Sequence, residues 1–157
     1  MIYPESVNLI CQAIESDYLY SFNIVNDENL FGFHLADQVN QYSVNEHFDL
    51  DKNFEHKKLS EPQNMGNVPI PNNEAIIRHT RCTLQHSKVV DGILYWYELI
   101  MNDQIKIDTS ACTHYNYACF LVTRQETQQD RSDLTICTKF YQGLIKIHCE
   151  MCLLISL

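Results

Sequence analysis

The sequence predicts a mainly β protein, namely a β-barrel with an inserted short helical or irregular arm. Short apolar or alternating stretches recur along most of the chain, which is typical of strands. Turn-forming residues separate these stretches, and helix signals are weak throughout. The 157 residues suit one folding unit. We therefore assign residues 1–157 to a single β-barrel domain.

The first half of the chain contains one clear strand, from about Val7 to Ser16, where apolar residues alternate with polar ones. The turn-rich stretch that follows carries a mild helical pattern at Leu35–Val39. Residues 44–74 are polar, and Asn, Pro and Gly fill the last third of them. This stretch predicts a long irregular connection with one short strand near Ser43–Leu50.

The second half predicts strands almost continuously. The strongest is VVDGILYWYELIM, from Val89, because its apolar run is nearly unbroken. Turn residues Asn102 and Asp103 end it, and Tyr141–Gly143 predicts a hairpin turn. The other predicted strands are AIIRHTRCTLQ from Ala75, QIKIDTS from Gln104, THYNYACFLV from Thr113, LTICTKF from Leu134 and GLIKIHCEMCLLI from Gly143. In total we expect about six or seven strands and at most two short helices.

Composition favours an intracellular protein. No apolar run reaches the roughly 18–20 residues that a membrane-spanning helix needs, and the first residues lack the basic segment of a signal peptide. The seven cysteines are odd in number and scattered, which favours a reducing compartment. We therefore predict no membrane as a partner and a location in the cytoplasm, the nucleus or both.

The net charge of −9 is unevenly distributed. Residues 1–61 hold eleven Asp/Glu and three Lys/Arg, whereas residues 62–157 hold nine and eight. A negative surface repels nucleic acid and attracts basic partners such as Arg-rich peptides, so we predict no nucleic acid partner. The alternative, that the acidic half is only a solvated surface, stays open. Nucleotide-binding and hydrolase motifs are absent from the sequence.

Two short motifs raise the question of a metal site. HCEMC places His148 beside Cys149-x-x-Cys152, and HTRC gives His79-x-x-Cys82. Zinc needs about four converging ligands, and a single C-x-x-C is a weak signal. On a strand Cys149 and Cys152 would point to opposite faces. We therefore predict no metal site, and interpret these cysteines as buried or half-buried free thiols.

A Cys–His nucleophile is the second alternative, with Cys112 or Cys119 next to His114. Residues two apart on a strand share a face, so Cys112 and His114 would be neighbours. Such a nucleophile also needs an oxyanion-stabilising loop and an orienting residue, and the sequence places neither. We therefore predict no catalytic residue in this chain. The aromatic run Tyr95–Tyr97 is most simply a buried strand.

Six stretches, in order from residue 3 to about residue 150, resemble parts of one known domain. They are YPESVNLICQAIES, LFGFHLADQVNQYSV, KKLSEP, VDGILYWYELIM, THYNYACFLV and QGLIKIHCE. Phe31-Gly32-Phe33 resembles a Tyr-Gly-Phe-Asp stretch, and Thr113-His114-Tyr115 resembles a Thr-His-Trp loop. The ordered set resembles the C-terminal β-barrel of protein arginine N-methyltransferases. Within that family it is most similar to the divergent ninth-member type.

The resemblance implies that this chain is one half of an enzyme. In the family, a Rossmann-like domain before the barrel binds S-adenosylmethionine and carries the catalytic glutamates. This chain starts at Met1, where the barrel would begin. The resemblance therefore implies that the chain binds no cofactor, is inactive alone, and supplies the substrate-binding and dimerisation barrel. The alternative is a non-catalytic interaction module, or a pseudo-enzyme domain, that binds a basic partner.

The resemblance also assigns a supporting loop and an arm. It implies that Thr113, His114 and Tyr115 lie at the substrate cleft, where the histidine supports the catalytic carboxylates and the aromatic ring encloses the substrate guanidinium. Tyr115 stands where Trp is usual, and Tyr117 where Gln is usual. The resemblance further implies that residues 28–56 form a dimerisation arm. The implied partners are an Arg-rich protein substrate and a second methyltransferase module, in a homodimer or pseudo-dimer.

Overall fold

The fold is mainly β, as the sequence predicts. Within the residues that the computed structural model describes there are ten strands and two short helices. None of these helices is long and apolar enough to cross a membrane. The described residues are 4–28, 30–42, 47–51, 53–72, 74–85, 89–115, 117–126, 133–141 and 144–151.

The elements follow one another along the chain as short strands with both helices near the start. The helices are α1 (Asp17–Asn23) and α2 (Ala36–Asn40). The strands are β1 (Ser6–Glu15), β2 (His47–Leu50), β3 (Lys57–Lys58), β4 (Gln63–Pro69), β5 (Ile76–Thr83), β6 (Val89–Ile100), β7 (Lys106–Asp108), β8 (Tyr117–Glu126), β9 (Asp133–Tyr141) and β10 (Leu144–Met151).

The larger sheet curls into a half-barrel with β6 and β1 at its centre. Its order is β2-β8-β6-β1-β3, with β4 also paired to β1 and β7 paired to β6. Strands β1 and β6 run antiparallel over nearly their whole lengths, from Ser6 opposite Ile100 to Ile14 opposite Gly92. The strongest strand of the sequence thus lies at the centre of this sheet.

The smaller sheet has the order β10-β9-β5, and all its pairs are antiparallel. Leu144 pairs with Tyr141, so β9 and β10 form the predicted hairpin, and the two turn residues between them lie outside the described residues. Side chains along β9 alternate as the sequence predicts. Leu134 and Ile136 are buried, whereas Lys139 lies on the open face.

One hydrophobic core joins the inner faces of the two sheets. It contains side chains from both central strands of the larger sheet and from all three strands of the smaller one. The largest members are Leu9, Leu59, Met65, Leu84, Ile93, Tyr95, Phe120, Leu134, Ile136, Phe140 and Ile147. Burial of apolar area on this scale is the main contribution that holds two sheets together.

A second, smaller cluster lies on the outer face of the larger sheet, under α1. Leu19 of α1 packs there against Ile14, Leu94 and Cys119. The close approach requires Gly92, because a Cβ at that position would meet the Cys119 sulfur at 2.9 Å and a Leu19 methyl at 3.0 Å. The helix is therefore fixed to the barrel by one apolar anchor.

Three elements were not predicted, and each has a physical reason. Strands β3 and β4 lie in the stretch that predicts an irregular connection, but both pair with one edge of β1. Strand β4 keeps Pro69 at its end and Gly66 at a positive φ of 107°, features that an edge strand tolerates. Helix α1 has only seven residues, too few for a helical period to stand out.

Candidate functional site

The loop that follows β7 is tied to the middle of the larger sheet. The backbone N–H of Thr109 donates to the carbonyl of Tyr97 at 2.9 Å. In return, the Thr109 hydroxyl accepts the N–H of Tyr97 at 3.0 Å. Thr109 is buried, so these two bonds hold the start of the loop against β6 in an environment with little competing water.

The tip of this loop is a compact turn. The N–H of Cys112 donates to the Thr109 carbonyl at 3.3 Å, and the N–H of Tyr115 donates to the Cys112 carbonyl at 3.5 Å. Thr113, His114 and Tyr115 follow one another on the outside of this turn, and all three are exposed. The ring of Tyr115 is 52% exposed. The structure therefore presents the three predicted side chains together at the surface.

The predicted strand THYNYACFLV begins later than expected. Residues 113–115 lie in the turn, and β8 starts at Tyr117. Tyr117 contacts Trp96 of β6, with ring centroids 5.7 Å apart, and so belongs to an aromatic pair on the sheet. The segment is therefore a turn that runs into a strand, and not a strand throughout.

A nucleophile made of Cys112 and His114 required both residues to lie on one face of a strand. Both of them precede β8, so this geometry is not present. The thiol of Cys112 donates to the Asp108 carbonyl at 3.3 Å. Cys119 is completely buried, and burial raises the pKa of its thiol to about 12. A thiol with this pKa carries almost no thiolate near neutral pH, which excludes Cys119 as a nucleophile.

The His79-x-x-Cys82 motif does not bring its two side chains together. Cys82 points into the core, where burial raises its pKa to about 11, whereas His79 lies on the exposed face of β5. The described residues hold no group of three or more His, Cys, Asp or Glu side chains that fits a metal ion. His148 and Cys149 lie on β10, and Cys152 lies outside the described residues.

The structure shows instead a histidine and a cysteine that face each other across two strands. His79 is the register partner of Cys137 on β9. The Nε2 atom of His79 lies 3.8 Å from the Cys137 sulfur. Sequence reasoning missed this pair because 58 residues separate the two positions and only the register of β5 against β9 joins them.

A set of aromatic rings lies on β6 and its neighbours at the level of the loop. Tyr95 and Tyr97 form an edge-to-face pair with centroids 6.2 Å apart. The Nδ1 atom of His47, on β2, lies 3.0 Å from the hydroxyl of Tyr95, and the imidazole also contacts Phe120. Burial raises the pKa of both tyrosines, so they are neutral hydrogen-bonding groups. The sequence predicted these tyrosines as core, but not their histidine partner.

His47 should lose its charge at lower pH than an ordinary histidine, because partial burial lowers its pKa from 6.5. Below that pH the unfolded chain takes up a proton that the folded chain resists, so stability should fall as the pH falls through about 6.5. NMR titration of the imidazole should give a midpoint below 6.5, and His47→Gln should flatten the decline of the melting temperature. A midpoint at or above 6.5 would contradict this prediction.

The predicted arm, residues 28–56, has two parts. Its end returns to the barrel, because β2 pairs with β8 from His47 opposite Phe120 to Leu50 opposite Tyr117. Its earlier part is organised by Asp27, just before the predicted boundary, and by Asn40. Asp27 accepts the N–H of Ala36 at 3.0 Å, and Asn40 makes two hydrogen bonds with the backbone of Val25.

Several large apolar side chains are exposed on this earlier part. Phe31 is 95% exposed and Tyr42 is 83% exposed, and α2 has no buried residue. Phe31 also has a positive φ of 57°, which is unusual for a bulky residue. The other large exposed apolar side chains here are Phe33, Leu35 and Val39, and Tyr18 and Phe22 of α1 are exposed as well.

Comparisons with known proteins assign no family to the chain. No protein-family model matches the sequence, and no curated protein matches it. Two features of the described structure remain as candidates for a functional role. One is the loop 109–115, which is fixed at its base and exposed at its tip. The other is the arm with its exposed apolar side chains.

Proposed function

We propose that this chain is the substrate-binding and dimerisation barrel of a protein arginine N-methyltransferase. In the intact enzyme a methyl group passes from S-adenosylmethionine to an arginine side chain of a protein, and the chain alone is inactive. The observation that carries the proposal is the loop 109–115. Two hydrogen bonds fix its base to β6, while His114 and Tyr115 stand exposed on its tip.

Tyr115 supplies the chemistry that a barrel can offer to an arginine. The face of an aromatic ring attracts a planar cation, and guanidinium is weakly hydrated, so it leaves water readily for such a surface. A ring held by a fixed turn loses little conformational entropy when substrate binds. His114 would orient the catalytic carboxylates of the enzyme's cofactor-binding domain, and Thr113 would complete the loop.

The arm supports a second module as partner. Exposed Phe31, Phe33 and Tyr42 give an apolar surface that a second copy, or a second methyltransferase module, would cover. Hydrogen bonds of Asp27 and Asn40 already order this segment, so association would cost little further conformational entropy. The acidic residues 1–61 would attract an Arg-rich substrate to the same molecule.

The test supplies the missing cofactor domain in trans. Methylation of an Arg/Gly-rich peptide should be absent with either part alone and present with both. The chain alone should give no heat when titrated with S-adenosylmethionine. Tyr115→Ala should lower kcat/KM by about tenfold or more, because a desolvated cation–π contact is worth up to about 2 kcal/mol. Tyr141→Ala is the matched control, since this tyrosine is similarly exposed but lies on the smaller sheet.

Two results would overturn the proposal. Micromolar binding of S-adenosylmethionine to the isolated chain would mean that it is not a barrel half. Self-association without any methylation in the mixture would favour the alternative, a non-catalytic module or pseudo-enzyme domain that binds a basic partner. In that case the double variant Phe31→Ser, Phe33→Ser should abolish self-association. Methylation should be absent both with and without these substitutions.

A further inference from the structure

The outer face of the smaller sheet holds a thiol and an imidazole in contact. Strands β5 and β9 place His79 directly opposite Cys137, with 3.8 Å between Nε2 and the sulfur. The neighbours of Cys137 along β9, Ile136 and Thr138, are buried in the core. Cys137 therefore points away from the core, and its side chain is partly exposed beside the exposed imidazole.

We propose that Cys137 is a site of reversible S-thiolation, at which a small anionic disulfide forms a mixed disulfide with the protein. Two features of this face support the assignment. A base lies in contact with the thiol and makes its sulfur a better nucleophile. Positive charge lies beside the thiol and selects a negatively charged reagent.

The imidazole supplies the base that the exchange needs. A free thiol is only a few per cent thiolate near neutral pH, and the thiolate is the form that attacks a disulfide. An imidazole is largely neutral at that pH, so Nε2 of His79 can accept the Cys137 proton across the 3.8 Å contact. The Cys137 sulfur then bonds to one sulfur of the small disulfide, whose S–S bond breaks. The second half leaves as a thiolate and takes up the proton, so the small disulfide is reduced and Cys137 is oxidised.

Positive charge on the same face favours an anionic reagent. Lys139 follows Cys137 by two residues on β9, so both side chains point outward from Cα atoms about 7 Å apart. Lys146 of β10 is the register partner of Lys139, and both lysines are exposed. Like charges directly opposite each other destabilise a sheet, and a carboxylate bound between them would reduce that repulsion. Within the described residues, no salt bridge joins either lysine to an acid.

The acidic side chain at the other end of this face does not cancel the lysines. Asp133 lies four residues from Cys137 on β9, and it is bonded to Arg81 and Thr83. Four strand residues span about 13 Å, more than the Debye length of about 10 Å at 0.1 M salt. Pairing and screening therefore both weaken its charge at the thiol.

The other thiols that the structure describes are less suited to this exchange. Cys11, Cys82 and Cys119 are buried, and burial raises the pKa of Cys82 to about 11 and that of Cys119 to about 12. Cys112 is partly exposed like Cys137, but its thiol donates to a backbone carbonyl at 3.3 Å. Cys137 should therefore react first among the cysteines whose side chains the structure describes.

The test compares an anionic and a neutral disulfide on the reduced, folded chain. Dithiobis(nitrobenzoate) carries carboxylates, whereas dithiodipyridine is uncharged at neutral pH, and each releases a thiol that absorbs light. Peptide mass mapping after partial reaction should place the mixed disulfide on Cys137, ahead of Cys112. Raising the salt from about 0.01 M to about 1 M shortens the Debye length from about 30 Å to about 3 Å. This change should slow the anionic reagent several-fold and leave the neutral reagent nearly unaffected.

Two variants separate the base from the charge. His79→Gln should slow both reagents about tenfold, because the thiol then lacks its proton acceptor. The double variant Lys139→Gln, Lys146→Gln should slow only the anionic reagent, by about threefold or more. Cys137→Ser should remove the fast reaction with both reagents. His34→Gln is the matched control for the imidazole, since this histidine is exposed on the arm, and it should react like the original chain.

Three results would each overturn the proposal. They are labelling of Cys112 at the same rate as Cys137, unchanged rates in His79→Gln, and an equal salt dependence of the two reagents. The first and third need no substitution, so they decide the question even if a variant fails to fold. None of these readouts involves methylation, so the outcome is independent of the proposed function.

Discussion

Replacing Ile93 by alanine is expected to lower the free energy of unfolding by about 2–5 kcal/mol. Ile93 is completely buried in the middle of β6, between Ala13 of β1 and Phe120 of β8. Its side chain belongs to the core that joins the two sheets. The loss combines the transfer of the removed carbons with the cavity that they leave, because neighbours fixed in two paired strands can collapse only partly.

Ile77→Ala is the matched control, because the same atoms are removed from a side chain that is 50% exposed on β5. It should change stability by no more than about 0.5 kcal/mol. Urea unfolding of both variants, with unchanged slopes, gives the comparison. Equal losses in the two variants would mean that the core does not lie between the sheets as described.

The central strands could be predicted because their apolar pattern is strong enough to be visible locally. The predicted strand from Val89 ends within one residue of β6, and the strand predicted from Val7 matches β1 within one residue. Half of the residues of each strand are buried and none is exposed, so burial itself selects their residues. This is the condition under which a periodic pattern and the final structure agree.

Strands β3 and β4 and helix α1 could not be predicted, because partners elsewhere in the chain determine them. The residues of β4, QNMGNVP, have little strand preference, and only Met65 among them is buried. Their strand conformation comes from hydrogen bonds with β1, whose edge would otherwise lack partners. Helix α1 likewise depends on one cap and on one apolar contact with the sheet.

The loop residues Thr113–Tyr115 and the pair His79–Cys137 also differ in how far the sequence could reveal them. The stretch Thr113–Tyr115 could be singled out from the sequence because its residues are consecutive, although the alternation pattern placed them on a strand. The pair His79–Cys137 depends on the register of two strands. A shift of one residue in that register would move the cysteine to the other face, so no local pattern contains this information.

Replacing Ser16 by alanine is expected to lower the free energy of unfolding by about 2–3 kcal/mol. The Ser16 hydroxyl accepts the N–H of Leu19 at 3.4 Å as the cap of α1, and donates to the carbonyl of Glu55 at 2.8 Å. This hydroxyl therefore joins the first turn of α1 to residue 55, at the end of the arm. Alanine leaves the Glu55 carbonyl without this donor next to a residue that is 4% exposed.

The variant isolates the hydroxyl, because the backbone N–H of Ser16 keeps its hydrogen bond to Asp91 at 2.9 Å. Ser21→Ala is the matched control: its hydroxyl donates to the Tyr18 carbonyl on the exposed side of α1, and its loss should change stability by at most about 0.5 kcal/mol. Ser16→Ala should also speed proteolysis between α1 and β2, because the arm is then held at one end less firmly. If Ser16→Ala melts at the same temperature as Ser21→Ala, the join between α1 and residue 55 contributes nothing to the fold, and the arm must be held by β2 alone.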